Sequence, residues 1–162
     1  MFKAKYDVTG FRLPGEETEQ VEVYDHCDEI RKKINAVLRD PDMTRAAFCR
    51  EISKTLPGRK GDNSDSLQGS TLASFLSKRG PREGRKSLIF YAAYVFFEKL
   101  RIRDGKPKSS LRLDMEDAWV GRGGFDITSN ETGYLVTKGS YVYTNELGHV
   151  QVGKDWRASA LR

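Results

Sequence analysis

The sequence predicts a mainly α fold of the α+β class: a helix-turn-helix-like bundle of four to five helices, followed by a small antiparallel β-meander. Apolar residues recur at helical spacing over about residues 25–119. After the glycine-rich stretch 121–124 the apolar residues alternate instead, which is typical of strands. A length of 162 residues suits one compact domain with a small appendage. The expected segments are an acidic N-terminal arm (1–24), the helical domain (25–119), the β-meander (120–153) and a C-terminal tail (154–162).

The chain starts with the acidic arm, which leads into the first helix. A Pro-Gly pair precedes three glutamates, a composition that favours extended backbone, and Val21 and Val23 are expected to dock on the helices. The first helix is expected over 25–39, because Asp25 can accept a hydrogen bond from a free N–H group at the helix start. Pro41 ends it, since the residue before a proline leaves the α region.

Two shorter helices follow. Thr44 is expected to cap a second helix that runs to about Leu56. A polar loop rich in helix breakers, over 57–65, separates it from a third helix. Ser70 is expected to cap this third helix, and Gly80 ends it.

The fourth helix is expected at the centre of the core. It starts at Ser87, runs to about Arg103 and is apolar around much of its girth. A further short helix is expected from about Leu113 to Trp119.

Three strands are expected in the meander, over 134–137, 140–143 and 149–152. Two strands alone are only marginally stable in water. The ribbon must therefore pack on the helices or on a partner.

The charges are segregated along the chain. Residues 1–30 carry a net charge of −5, residues 31–113 a net charge of +12, and residues 114–162 a net charge of −2. Clustered Lys and Arg residues release the counterions that condense on phosphates, so a basic block between acidic flanks is typical of a module that binds a polyanion.

The basic block also has the layout of a helix-turn-helix, with a capped helix, a connection and a second short capped helix over 44–79. Residues 67–76 resemble the recognition-helix segment of λ-repressor-like domains, including the POU-specific and CUT types. The connection, about a dozen residues, is longer than the tight turn of the bacterial motif. The alternative is a pair of ordinary core helices in an interaction domain. The resemblance implies that base edges are read by Gln68, Ser70, Thr71 and Ser74, residue types that suit adenine, several bases or a phosphate.

Two basic clusters are candidates for holding the DNA backbone. Residues 78–112 hold eleven Lys and Arg residues against three acids. No aromatic residues are spaced for base stacking there, which favours duplex DNA over a single strand. Either cluster is also compatible with a nuclear-import signal. The first cluster consists of Lys78, Arg79, Arg82, Arg85 and Lys86, and the second includes Arg101, Arg103, Lys106 and Lys108.

A second resemblance covers roughly residues 24–120. Its most specific part is the string Phe96-Phe97-Glu98-Lys99-Leu100-Arg101 within 92–109, which resembles a domain of unknown function that is widespread in filamentous fungi. The resemblance implies a fungal origin and supports the domain boundaries. Proteins of this type look like helix-turn-helix candidates for DNA binding.

No pattern in the sequence indicates an enzyme, a metal site or a membrane span. His26, Cys27 and Cys49 are three scattered potential ligands without paired spacing. Glu98 beside Lys99 is typical of an ion-paired helix residue rather than of a catalytic acid. There is no run of 18 apolar residues and no signal-peptide pattern at the start. We expect an intracellular protein with no cofactor and no small-molecule substrate.

The expected function is therefore non-enzymatic binding of duplex DNA in the nucleus, in transcription or chromatin. Region 78–112 would hold phosphates, and the helix over 68–79 would read bases. The alternative is a protein-interaction module, a helical adaptor that binds no nucleic acid. A homodimer through the β-ribbon or the first helix is also expected, because a second copy doubles the contacts with DNA.

Overall fold

The computed structural model describes residues 5–59, 67–130 and 133–154. Five complete α-helices and a two-stranded antiparallel sheet lie within these ranges, which confirms the mainly α fold of the α+β class. Most of the predicted 57–65 loop and nearly all of the predicted tail lie outside the described residues. The helices are α1 (Cys27–Val37), α2 (Arg45–Ser53), α3 (Gly69–Ser77), α4 (Leu88–Arg103) and α5 (Ser110–Trp119), and the strands are β1 (Ser140–Thr144) and β2 (Val150–Lys154).

Helix α1 begins two residues later than Asp25, the cap that the sequence predicts. The cap is His26, whose Nδ1 accepts a hydrogen bond from the N–H of Glu29 at 3.1 Å. Burial lowers the pKa of His26, which keeps this nitrogen unprotonated and able to accept. Asp25 is itself buried, and its carboxylate pairs with the ammonium of Lys33 at 2.7 Å. The predicted cap was wrong because the carboxylate of Asp25 is paired with Lys33, which lies in the second turn of α1.

The caps of α2 and α3 differ in how well the sequence predicts them. Thr44 caps α2 as predicted, since its Oγ1 accepts from the N–H of Ala47 at 3.1 Å, although α2 ends at Ser53, earlier than expected. At α3 the predicted cap, Ser70, is wrong and lies inside the helix. Gln68 occupies the cap position in a reciprocal capping box, in which its own N–H donates to Thr71 Oγ1 at 3.0 Å.

Helix α4 is the centre of the core, as predicted. Eight consecutive residues, 89–96, are buried, and α4 packs against α1, α2 and α3. Ser87 caps it through a hydrogen bond from the N–H of Ile89 to its Oγ at 3.2 Å. An edge-to-face pair of Phe48 on α2 and Phe96 on α4, with ring centroids 5.9 Å apart, joins two of these helices.

The acidic segment before α1 packs on the helices. Val21 and Val23 are buried as predicted, and Tyr6 and Val8 join the same core cluster. The carboxylate of Glu16 forms a buried ion pair with the ammonium of Lys99 on α4. Residues 5–24 are therefore held both by apolar contacts and by a charge pair.

The predicted third strand, over 134–137, does not form. Among the described residues this segment adds no strand to the sheet, and Leu135 is fully exposed, so its apolar side chain does not pack on the core. The sheet is a hairpin in which Val142 of β1 faces Val152 of β2. The meander is thus a two-stranded hairpin.

The turn of the hairpin docks on the end of α5. Trp119 donates its Nε1–H to the carbonyl of Leu147 at 2.8 Å, and its ring lies 4.2 Å from that of His149. Gly148 has a φ of +83°, and a Cβ there would meet the Phe125 ring at 2.5 Å. The hairpin is therefore attached to the helices by its turn, while much of its strand surface is exposed.

Candidate nucleic-acid interface

The segment between α3 and α4, residues 78–87, is called the basic turn below. It carries five Lys and Arg residues against one acid, Glu83. Its backbone is held from α1. The guanidinium of the buried Arg31 donates to the carbonyls of Glu83 at 2.7 Å and Gly80 at 2.5 Å. Asp28 accepts from Arg31 at 2.7 Å and from the N–H of Gly80 at 3.0 Å. The basic turn therefore has a fixed conformation.

The carboxyl group of Asp28 is ionised as part of this arrangement. Burial alone would raise its pKa, but the hydrogen bonds from Arg31 and Gly80 outweigh that effect and hold the pKa of Asp28 below its usual value. Asp28 therefore stays negatively charged beside Arg31 at neutral pH.

The basic turn also lies against the core at Gly84. This residue has a φ of +94°, and a Cβ there would lie 2.7 Å from the ring of Phe75. The ring of Phe75 is in turn covered by the guanidinium of Arg31, whose Cζ lies 5.0 Å from the ring centroid. Only a glycine fits between the turn and this stack without a shift.

Helix α3 presents a polar face to solvent next to the basic turn. Leu72 and Phe75 are buried, and the residues predicted to read bases lie elsewhere on the helix. Gln68, Ser70 and Ser74 are exposed, and Thr71 is half-buried in the capping box. Lys78 and Arg79 continue this exposed surface directly after α3.

Two cavities meet at Lys86 of the basic turn. One, of about 460 Å³, is lined by Thr71 together with Lys86 and Ser87. The other, of about 710 Å³, is lined by Lys78, Arg82 and Lys86 and is called the basic cleft below. The structure thus brings one predicted reading residue and three predicted phosphate-binding residues onto one continuous surface.

Arg85 and Arg82 are less available than the sequence predicts. Arg85 is buried, and its guanidinium donates to the carbonyl of Ser129 at 2.9 Å, so it serves to hold the 125–130 segment. Arg82 donates one N–H to the carbonyl of Gly148 at 3.2 Å, and its Nη2 lies 3.8 Å from the Asp126 carboxylate. Within the described part of the chain this Nη2 has no hydrogen-bond partner.

The second basic cluster lies at the opposite end of α4. This helix has 16 residues, so its ends are about 24 Å apart at a rise of about 1.5 Å per residue. Most cations of this cluster are paired: Arg101 contacts Glu98 at 2.7 Å, Arg103 contacts Asp104 at 2.9 Å, and Lys108 contacts Glu116 at 2.6 Å. Lys106 is exposed. The two clusters do not form one patch.

Several residues of this surface do not follow from the sequence patterns. Asp28 and Arg31 hold the basic turn. In the sequence their spacing of three indicates an ordinary ion pair within a helix, and it does not indicate a contact with the basic turn. The hairpin residues Val142, Thr144 and Val150 line the basic cleft. Nothing in the strand pattern indicates which element the hairpin faces.

The described residues offer no cluster of His, Cys, Asp and Glu that could hold a metal ion. Cys27 and Cys49 are buried free thiols, and burial raises the pKa of Cys27 to about 12. No helix within the described ranges has the length and apolar character needed to cross a membrane.

Comparison with known proteins identifies one segment. Residues 21–58 match a family described as a domain of unknown function, DUF7726. No curated protein matches the chain, and neither does any solved structure. The matched segment includes α1 and α2, and therefore Asp28 and Arg31, but the basic turn that they hold lies outside it.

Proposed function

We propose that this chain is a non-enzymatic protein that binds duplex DNA in the nucleus, in transcription or chromatin. Phosphates are contacted by the basic turn, through Lys78, Arg79, Arg82 and Lys86. Base edges are read from the polar face of α3, by Gln68, Ser70, Thr71 and Ser74. Arg85 is left out of this set because it is buried against Ser129.

The observation that carries the proposal is the continuity between the polar face of α3 and the basic turn. Phosphate contacts set the position of a protein on a duplex, and base contacts supply specificity, so a reading helix needs cations beside it. Lys78 and Arg79 directly follow α3, and Lys86 shares a cavity with Thr71 at its start. Serine, threonine and glutamine on such a helix suit hydrogen bonds to base edges.

The arrangement of helices supports a helix-turn-helix assignment within this proposal. Helices α2 and α3 pack against each other, and both pack against α4. In a helix-turn-helix the second helix enters the major groove while the first crosses the backbone. We assign these roles to α3 and α2. The resemblance of residues 92–109 to a fungal domain is part of the same proposal and supports a fungal source.

A salt series with a labelled mixed-sequence duplex tests the proposal. Under counterion release, log affinity falls with log salt with a slope of about −0.9 per neutralised phosphate. The double variant Lys78→Ala/Arg79→Ala is expected to weaken binding roughly tenfold and to reduce the slope by about 2. The matched control is Lys106→Ala/Lys108→Ala, which removes the same charge from the other end of α4 and is expected to have a much smaller effect.

Two results would contradict the proposal. Wild-type protein that binds no duplex at low salt and micromolar concentration would exclude DNA binding as the function. Equal losses in the two double variants would mean that net charge, rather than the basic turn, determines the affinity.

Exposed apolar residues on the hairpin favour a second candidate function, protein interaction. Tyr141 and Tyr143 are 52% and 42% exposed on one face of the hairpin, and Val152 is 62% exposed on the other. We propose a second copy of this chain as the partner, through the face of the hairpin that carries Tyr141 and Tyr143. Helix α1 is less suited to this role, since its apolar residues Ile30 and Ile34 are buried in the core of the same chain.

A further inference from the structure

We infer that the hairpin forms the second wall of the DNA site, so that one sugar–phosphate strand of the duplex lies in the basic cleft between the basic turn and β1–β2. This inference rests on the proposed function and extends it to a part of the chain that the basic patch does not include.

The two walls of the basic cleft come from distant parts of the sequence. Lys78, Arg82 and Lys86 of the basic turn lie on one side, and Val142, Thr144 and Val150 of the hairpin lie on the other. The register pairs Thr144 with Val150 and Val142 with Val152, so Val142, Thr144 and Val150 share one face of the sheet. Tyr143, which alternates to the other face, also lines the cleft. The cleft of about 710 Å³ is therefore a space between two ordered surfaces.

The hairpin is held in this position by contacts with its turn and with the segment that precedes it. Trp119 binds the carbonyl of Leu147, and Arg82 binds the carbonyl of Gly148 at 3.2 Å, so the basic turn itself contacts the hairpin turn. Lys86 contacts Asn130 in the segment that leads to the hairpin. These contacts lie within the chain itself and fix both walls, and a site that is fixed in this way reduces the entropic cost of binding.

The chemistry of the two walls matches the chemistry of a nucleic-acid strand. Such a strand alternates anionic phosphates with deoxyribose rings whose carbon faces are apolar. The lining carries Lys78, Arg82 and Lys86, together with the buried Arg85, against one acid, Glu83. The first three suit phosphates. The rest of the lining includes two valines, a threonine methyl and the side chains of Tyr134 and Tyr143, whose apolar parts suit the sugar faces.

The opposite face of the hairpin supplies a matched control. Tyr141, Tyr143, Gln151 and Gly153 share that face. Tyr143 also lines the cleft, whereas Gln151 does not, and Gln151 accepts a hydrogen bond from the Tyr143 hydroxyl at 2.7 Å. Thr144 and Gln151 are both exposed. Thr144→Glu adds one negative charge inside the cleft, whereas Gln151→Glu adds the same charge outside it and keeps the acceptor for Tyr143.

The experiment measures fluorescence anisotropy of a labelled mixed-sequence duplex with the full chain at a fixed moderate salt concentration. Thr144→Glu is expected to weaken binding roughly tenfold, because a carboxylate within a Debye length repels a phosphate in the cleft. Gln151→Glu is expected to change the affinity less than about twofold, since solvent screens its charge. Thermal unfolding of both variants by circular dichroism shows whether each retains the wild-type fold. Thr144→Lys is expected to strengthen binding, and a gain in affinity supports the assignment without relying on a variant that loses affinity.

The outcomes separate this inference from the proposed function. If the wild type binds duplex and the two glutamate variants lose affinity equally, or Thr144→Lys leaves affinity unchanged, the hairpin is not a wall of the site and the proposed function stands. If the wild type binds no duplex, both fail. If a labelled poly-glutamate peptide binds instead, and Thr144→Glu weakens that binding, the cleft takes an acidic peptide and both are overturned.

Discussion

Gly84 marks a close approach between the basic turn and the core. Its positive φ and the Phe75 ring leave no room for a side chain. Gly84→Ala is expected to lower the free energy of unfolding by about 1–3 kcal/mol, through backbone strain and overpacking. Gly69→Ala is the control, because its added Cβ meets no atom within 4 Å. Chemical denaturation of both variants checks this, and a Gly84→Ala protein as stable as Gly69→Ala would contradict it.

The carboxylate of Asp28 gives the stability of the chain a dependence on pH. Its pKa is lower in the folded chain than in the unfolded one, so its stabilisation is present above an unfolded pKa of about 4 and disappears as the pH falls through the folded pKa. Asp28→Asn is expected to cost about 1 kcal/mol at pH 7, a modest amount because the side chain is half-exposed. Urea unfolding at several pH values should show the gap to wild type closing below pH 4. A gap that stays constant would exclude the charge of Asp28 as its cause.

Residue-level predictions succeed where the neighbouring sequence decides the contact. Thr44 and Ser87 cap their helices because each hydroxyl accepts from an N–H two or three residues ahead. Asp25 does not cap α1 because Lys33, a full two turns ahead, takes its carboxylate. Tertiary contacts of this kind leave no signal in the neighbouring sequence. The same is true of Arg31, which donates to the distant carbonyls of Phe75 and Glu83.

At the scale of elements, the hairpin carries the prediction on self-association. Its outer face exposes Tyr141 and Tyr143, whose ring centroids lie 5.8 Å apart. Light scattering over a range of concentrations is expected to show a dimer for the wild type and a monomer for Tyr141→Lys, because a buried, unpaired lysine opposes association. Leu113→Lys, at an exposed apolar residue of α5, is the control and should leave the dimer intact. A wild type that stays monomeric at high micromolar concentration would refute self-association.

Helices were more predictable than strands in this chain. The apolar run of α4 covers several turns and most of the helix girth, so its place at the centre of the core follows from the sequence. The expected strand over 134–137 has the same alternation as β1, but among the described residues the sheet consists of β1 and β2. A short strand is stable only through pairing and packing, which periodicity does not reveal.

At the scale of the whole molecule, one buried charge pair fastens the acidic N-terminal segment to the central helix. Glu16 and Lys99 are 2% and 4% exposed. Glu16→Gln leaves the Lys99 ammonium buried without its counter-charge and is expected to cost about 3–5 kcal/mol. Glu16→Gln/Lys99→Met removes both charges and is expected to recover a large part of that loss. Urea unfolding of the three proteins checks this, and a double variant less stable than Glu16→Gln would contradict it.

The candidate site could be predicted only in part, because it is assembled from three distant regions. Charge segregation indicates the basic turn, and the pattern of α3 indicates its polar face. The two basic clusters lie at opposite ends of α4. Counting charges along the sequence does not reveal this separation. The burial of Arg85 and the closeness of Thr144 to Lys86 also depend on the tertiary fold.

The contact between Trp119 and the hairpin turn has an optical consequence. The indole is 1% exposed, lies 4.2 Å from the His149 ring and donates to Leu147. The chain has two tryptophans, so Trp156→Phe leaves Trp119 as the sole indole emitter. Undocking of the hairpin turn would bring water to the indole and shift its emission to longer wavelength. The protein therefore carries an intrinsic fluorophore at the junction between its helical body and its hairpin, and the position of that junction can be followed in solution without a label.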